Sequence, residues 1–250
     1  QASGCASCHS SPNATQEENL VLTGGRSFPS PFGTFYAPNI SMDKVNGIGT
    51  WSEKDFVNAV RHGVSPEGKH YYPSFPYTAY VNMTDQDIAD LWVYFRSIPE
   101  SSIPSIDHDL PIYVRWRRPL AFWKLLNKRE PIIELASSDA TIQRGGYLVE
   151  TLGHCAECHT SRNFVGGLQY EYWLGGAKNP TGRGMIPNIT PAKLTWNIEE
   201  IVEYLASGFT PDFDVVGGHM ADVVENTSKL TEEDRLAIAE YLKAIPAVKK

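Results

Sequence analysis

Cys5-Ala6-Ser7-Cys8-His9 near one end of the chain and Cys155-Ala156-Glu157-Cys158-His159 beyond its middle are the stretches whose reading decides the fold. In each, the two thiols stand three residues apart, so one helical turn brings both sulfurs to one face with the histidine beside it. That geometry predicts covalent attachment of two haem c groups. Cys5, Cys8, Cys155 and Cys158 are the expected thioether positions, and His9 and His159 the expected imidazole ligands to iron. A redox C-x-x-C pair and a structural zinc site are the competing readings. Against them, the pattern occurs twice and takes up all four cysteines, and a shared zinc would have to join stretches 150 residues apart.

A chain of 250 residues with 17 prolines, 20 glycines and a mean hydropathy of −0.30 suits two small, loop-rich domains whose cores need a further apolar body. Two haems would supply it. The net charge of −7 argues against nucleic-acid binding and is compatible with a basic docking surface on a redox partner, or simply with a solvated acidic surface. No apolar run reaches membrane-spanning length. The first motif begins four residues into the chain, whereas a full helix precedes the second. The expectation is therefore that Gln1 is not the biological start, and that an upstream segment carries export information, an anchor or the missing helix.

The two halves read as a repeat. Pro38-Asn39-Ile40-Ser41 follows His9 at the same distance, to within a residue, as Pro187-Asn188-Ile189-Thr190 follows His159. Ser52 and Asn197 then open capped helices that stop at Gly63 and Gly208, and Pro-containing loops follow at Ser65-Pro66 and Thr210-Pro211. Thr84 and Thr231 cap closing helices whose apolar faces carry Leu91, Phe95 and Ile98 in one half and Ile238, Leu242 and Ile245 in the other; Pro99 and Pro246 end them. Asp139 to Gly153 reads as a helix in which Gly145-Gly146 lets the terminal helix, Thr231 to Ala244, cross closely. The predicted fold is all-α: two tandem class I cytochrome c domains, each wrapped round a covalently bound haem. Residues 1–100 form the first, lacking its N-terminal helix; 101–138 form a linker; and 139–250 form the second.

The linker has no counterpart elsewhere in the chain. Its Pro111-Ile112-Tyr113-Val114-Arg115-Trp116-Arg117-Arg118-Pro119 and Leu120-Ala121-Phe122-Trp123-Lys124-Leu125-Leu126 mix cations with aromatics. The preferred reading is a linker burying its aromatics between the two domains. The others are a bridge with an arginine on a haem propionate, or a surface for a membrane or partner.

An electron-transfer haem needs a second axial ligand. For the second haem the loop ending Val215-Val216-Gly217-Gly218-His219-Met220 offers Met220, with His219 as rival. Met220 stands ten residues after Thr210, and the same count from Ser65 lands on Phe75, which cannot bind iron. The first haem therefore either takes a ligand from elsewhere, Met83 ranking ahead of Met42, His70 and His62, or has an open sixth position. His108 and His154 read as solvent-exposed or locally hydrogen-bonded, and Trp51, Trp92, Trp173 and Trp196 as haem-pocket packing or core.

At Pro31-Phe32-Gly33-Thr34-Phe35-Tyr36, Asn39-Ile40, Gly47-Ile48-Gly49-Thr50-Trp51-Ser52, Tyr72-Pro73-Ser74-Phe75-Pro76-Tyr77 and Val215 to Met220, the chain resembles the cytochrome c subunits of membrane-associated alcohol and aldehyde dehydrogenases and stand-alone dihaem relatives. The resemblance covers most of both halves. It implies a periplasmic electron-transfer protein that relays electrons from a dehydrogenase toward quinone or a terminal oxidase, and that can be associated with the membrane through a partner. There are two departures. Such subunits usually carry three haem modules, and their first module typically has a methionine where Phe75 stands. The enzymatic alternative is a peroxidase-like dihaem protein that uses an open sixth position on the first haem. A third possibility is a docking subunit that holds a dehydrogenase at the membrane.

Overall fold

A computed structural model describes residues 2–12, 21–127, 138–180 and 184–249. The chain divides into two compact units, Cys5–Lys128 and Arg129–Lys250, the latter also taking in Gln1–Gly4. Helix is the predominant regular structure in both, and among the described residues no helix is long and apolar enough to cross a membrane.

The first unit runs α1 (Cys5–His9), a hairpin of β1 (Ser27–Ser30) and β2 (Gly33–Tyr36), α2 (Glu53–His62), α3 (Tyr77–Tyr80), α4 (Asp85–Phe95), α5 (Ile112–Arg115) and α6 (Pro119–Leu126). Local chemistry fixes the ends of α2. Ser52 and Asp55 form a reciprocal capping box at its start, and Gly63 ends it at φ 58°, where only glycine sits without strain. Thr84 caps α4 by accepting the Asp87 amide. Phe56 of α2 packs on Trp92 and Phe95 of α4, with ring centroids 5.1 and 5.2 Å away.

The second unit runs α7 (Ala140–Gly146), a π-helical stretch (Tyr147–Leu152), α8 (Ala156–His159), a short 3₁₀ turn (Tyr170–Tyr172), a two-residue hairpin of β3 (Ala177–Lys178) and β4 (Met185–Ile186), α9 (Ile198–Ser207), α10 (His219–Thr227) and α11 (Glu232–Ala244). Asn197 and Glu200 form the capping box of α9, and Gly208 ends it at φ 81°. The expected crossing of α7 by α11 is present. A β-carbon on Gly145 would overlap the Ala237 carbonyl oxygen, and one on Gly146 would lie 3.0 Å from the Tyr241 ring. The expected single helix over Asp139 to Gly153 is divided: Asp139 is the N-cap, and beyond Gly146 the backbone widens to π geometry. There Glu150 is fully buried and accepts a hydrogen bond from the Tyr241 hydroxyl. Tyr241→Phe removes that donor and is expected to lower stability by about 1–3 kcal/mol, read as a shifted urea midpoint with unchanged slope.

The repeat extends to backbone detail. Ile40 N donates to Leu22 O and Ile189 N to Leu174 O, and both leucines are left-handed, at φ 53° and 54°. After each capping glycine the chain folds back in the same way: Tyr71 N donates to Gly63 O at 2.7 Å and Val216 N to Gly208 O at 2.8 Å. Asn39 Oδ1 accepts Ser41 N while its Nδ2 donates to the carbonyls of Ser101 and Ile103. Asn188 Oδ1 accepts Thr190 N while its Nδ2 donates to Val248 O, and Val248 N returns a bond to Thr190 Oγ1. In each unit the segment past the closing helix is thus tied to the Pro-Asn-Ile loop.

Residues 101–127, expected to begin a linker, fall within the first unit, and 128–137 lie outside the described residues. The expected burial of the aromatics here is corrected: Tyr113, Trp116 and Phe122 are 74%, 64% and 64% exposed. The segment docks instead through other side chains. Val114 and Leu120 pack on the buried cluster of Phe35, Tyr72 and Leu110, and Arg117 lies 4.7 Å from the Tyr72 ring centroid. Arg115 Nε donates to Leu110 O, and the Tyr72 hydroxyl donates to Val114 O.

Candidate functional site

In the first unit, α1 consists of the motif itself, Cys5 to His9. In the second, α8 starts from Cys155, whose amide donates to Val149 O in the π-helical stretch, and His159 N donates back to Cys155 O. The two histidines then make one and the same contact. His9 Nδ1 lies 2.8 Å from Pro38 O, and His159 Nδ1 lies 2.8 Å from Pro187 O. A carbonyl oxygen only accepts, so Nδ1 carries the proton in both rings and Nε2 presents a bare lone pair. Burial pushes both imidazoles below the usual histidine range, outweighing the opposing effect of the proline carbonyls, and keeps them in the neutral form that ligates metal.

None of the four cysteines is in a disulfide. Burial raises Cys5, Cys155 and Cys158, with Cys155 pushed up to about 12, helped by the nearby Cys158 and Glu150. A redox-active C-x-x-C needs the reverse, a thiol pulled down toward thiolate. Nor do the motifs assemble a protein-only cage: among the described residues no three His, Cys, Asp or Glu side chains gather where they could hold an ion. What the motifs offer is paired thiols on one helical turn beside an oriented neutral imidazole. That donor set fits a haem, which brings its own four nitrogens to iron.

The surroundings fit as well. In the second unit Cys155 shares the rim of the main apolar cluster with half-buried Leu152, Leu168, Ile189, Leu194 and Met220. Met220 is in the first turn of α10, and His219 before it is exposed. In the first unit Phe75 sits among Tyr71, Tyr77 and Tyr80, with ring centroids 5.9 to 6.3 Å away. Met83 is 5% exposed and directly precedes the α4 cap, its carbonyl accepting Arg61 Nη2 at 2.6 Å. Met42 is half-buried in the 41–49 turn. His62 is exposed, and its carbonyl accepts Lys124 Nζ. His70 Nδ1 accepts from the same ammonium at 3.0 Å, and burial followed by the Lys124 charge holds its pKa down. His108, expected to be exposed or locally bonded, is instead half-buried and accepts Tyr36 N, 72 residues away, at 3.1 Å. Trp92 and Trp173 are core residues, and Trp51 and Trp196 are half-buried.

The residues missed in the sequence are Pro38 and Pro187 as acceptors for the histidines. The signal was present, since both open the repeated Pro-Asn-Ile segment, but a backbone carbonyl carries no side-chain signature.

No protein-family model matches the chain. A diheme cytochrome c-type protein of Cereibacter sphaeroides is 53% identical over 247 residues, covering 99% of this chain and 83% of that protein. The chain belongs to the dihaem c-type cytochromes. This cytochrome is also 34% identical to the fructose dehydrogenase cytochrome subunit of Gluconobacter japonicus and 34% identical to the cytochrome c subunit of the quinone alcohol dehydrogenase of Gluconobacter oxydans. In both cases 98% of the cytochrome is covered, but it spans only 51% and 53% of those subunits.

Proposed function

We propose that the cytochrome carries two covalently bound haem c groups in two tandem cytochrome c domains and transfers electrons from a dehydrogenase toward a respiratory acceptor. The haems supply one-electron chemistry at iron. The chain supplies the rest: Cys5, Cys8, Cys155 and Cys158 as thioether positions, and Nε2 of His9 and His159 toward the metals. Met220 would be the second ligand held toward the iron of the second unit, and Met83 that of the first. The observation that carries this reading is the matched pair of Nδ1 contacts to proline carbonyls, which leaves both Nε2 atoms unprotonated.

A periplasmic location follows from the chemistry of attachment, which takes place outside the cytoplasm. Membrane association through a partner belongs to the same reading, and a dehydrogenase partner fits the relatives, which are named as dehydrogenase subunits. Electrons are expected to enter at the haem with the lower potential and leave from the one with the higher. A methionine ligand raises potential, so Met220 marks the second unit as the exit if the first iron has a weaker partner.

Mass spectrometry of the intact protein tests the reading: the polypeptide is expected to gain the mass of two haems, and its reduced spectrum to be low-spin. A polypeptide mass with no addition overturns it. A high-spin fraction that binds carbon monoxide in the native protein would move the assignment to the peroxidase-like alternative.

A further inference from the structure

We infer that α5 and α6 form a rigid membrane-facing surface that binds bilayers rich in anionic lipid. Helix α6 is turned the opposite way from a helix packed on a water-soluble protein. Its cation points inward: Lys124 Nζ donates to His62 O at 2.6 Å, to Gly63 O at 2.8 Å and to His70 Nδ1 at 3.0 Å, and lies 4.5 Å from the Tyr77 ring centroid. Leu120 packs inward beside it. The outward stripe, at i, i+3 and i+4 spacing, is Phe122, Leu125 and Leu126, which are 64%, 75% and 68% exposed. Ile112, Tyr113 and Trp116 around α5 continue this exposure at 86%, 74% and 64%.

Six large apolar side chains exposed within 15 residues, on a backbone that is itself anchored, exceed the scattered exposure normal for a protein surface. The charge around them selects the occupant. From Leu110 to Asn127 the sequence has four Lys or Arg and no acidic residue, in a chain whose net charge is −7. Arg115 and Arg118 are exposed beside Trp116. Trp, Tyr and Phe interleaved with cations match the interfacial zone of a bilayer, where the rings enter the headgroup boundary and the cations meet lipid phosphates. Basic and acidic regions are thereby separated along the chain, which a uniformly solvated surface does not require.

This inference gives the membrane association proposed above a location, and it is independent of the haem assignment, since none of its residues is a proposed thioether position or iron ligand. The test is co-sedimentation of the haem-loaded 250-residue chain with sucrose-filled vesicles of phosphatidylglycerol and phosphatidylcholine, against phosphatidylcholine alone. Binding to the anionic vesicles is expected to exceed binding to neutral ones at least about tenfold, and to fall in about 0.5 M salt. The triple variant Trp116→Ser, Phe122→Ser, Leu125→Ser is expected to lose at least about tenfold in partitioning while keeping its visible spectrum and thermal midpoint. The variant Val45→Ser, which changes an exposed apolar residue outside the patch, serves as the control and is expected to bind as the parent does. No sedimentation with either vesicle type, or equal sedimentation of the parent and the triple variant, overturns the inference; the spectra would still report on the haems.

Discussion

Gly145→Ala is expected to destabilise the second unit by about 2–3 kcal/mol, although alanine is the better helix former by about 1 kcal/mol. The propensity gain is overridden because the added methyl falls on the Ala237 backbone carbonyl of α11, with Tyr241 Cβ 2.7 Å away, and a backbone cannot rotate aside as a side chain can. The whole crossing must open. Gly146→Ala next door is the internal comparison. Its methyl would meet only the Tyr241 ring edge at 3.0 Å, so a small ring displacement accommodates it and the propensity gain offsets most of the cost. Urea titrations followed by far-UV circular dichroism should separate the two, with the Gly145 variant alone shifted strongly to lower midpoint. Equal behaviour of the two variants would mean that the crossing is looser than described.

Removing both thiols of the second motif, Cys155→Ala with Cys158→Ala, is expected to halve the covalently bound haem and to leave the second unit the less stable part of the molecule. Cys155 lies on the edge of the cluster built from Leu148, Val149, Trp173 and Leu174. Under the proposed function this edge is covered by the porphyrin, and without it the apolar side chains would face water at about 25 cal/mol per Å². The matching change at Cys5 and Cys8 should remove the other half. Intact mass together with the haemochrome absorbance of denatured protein reads both outcomes, and a variant that still carries two haems would sink the assignment of these thiols.

Much of the architecture was legible because it is written in local chemistry. Ser52 with Asp55 and Asn197 with Glu200 announce helix starts, Gly63 and Gly208 announce ends, and Gly145 announces a crossing, each through residues a few positions apart. The motif histidines stood out by local spacing too, whereas their contacts to the Pro38 and Pro187 carbonyls did not. Features set by partners far along the chain were not. The left-handed Leu22 and Leu174 break the usual preference of their residue type and are dictated by the bonds their carbonyls accept from Ile40 and Ile189. Residues 101–127 carry no sign of which surface they join, because it is decided by Tyr72, Phe35 and the carbonyls at the end of α2. The composition misled there: the aromatics were expected to be buried, whereas Tyr113, Trp116 and Phe122 are exposed and Lys124 finds three acceptors on the inner side.

The ties from Asn39 and Asn188 have a consequence for biogenesis. Asn39 needs the carbonyls of Ser101 and Ile103, whereas Asn188 needs Val248. A polypeptide emerging from its N-terminal side can therefore latch the loop beneath His9 while the second half is still being made. The loop beneath His159 stays ajar until Val248 has been released. Trimming the chain behind Ile245, or burdening Val248 with a bulky fusion, would act on the Pro187 carbonyl and thus on how the second imidazole is held.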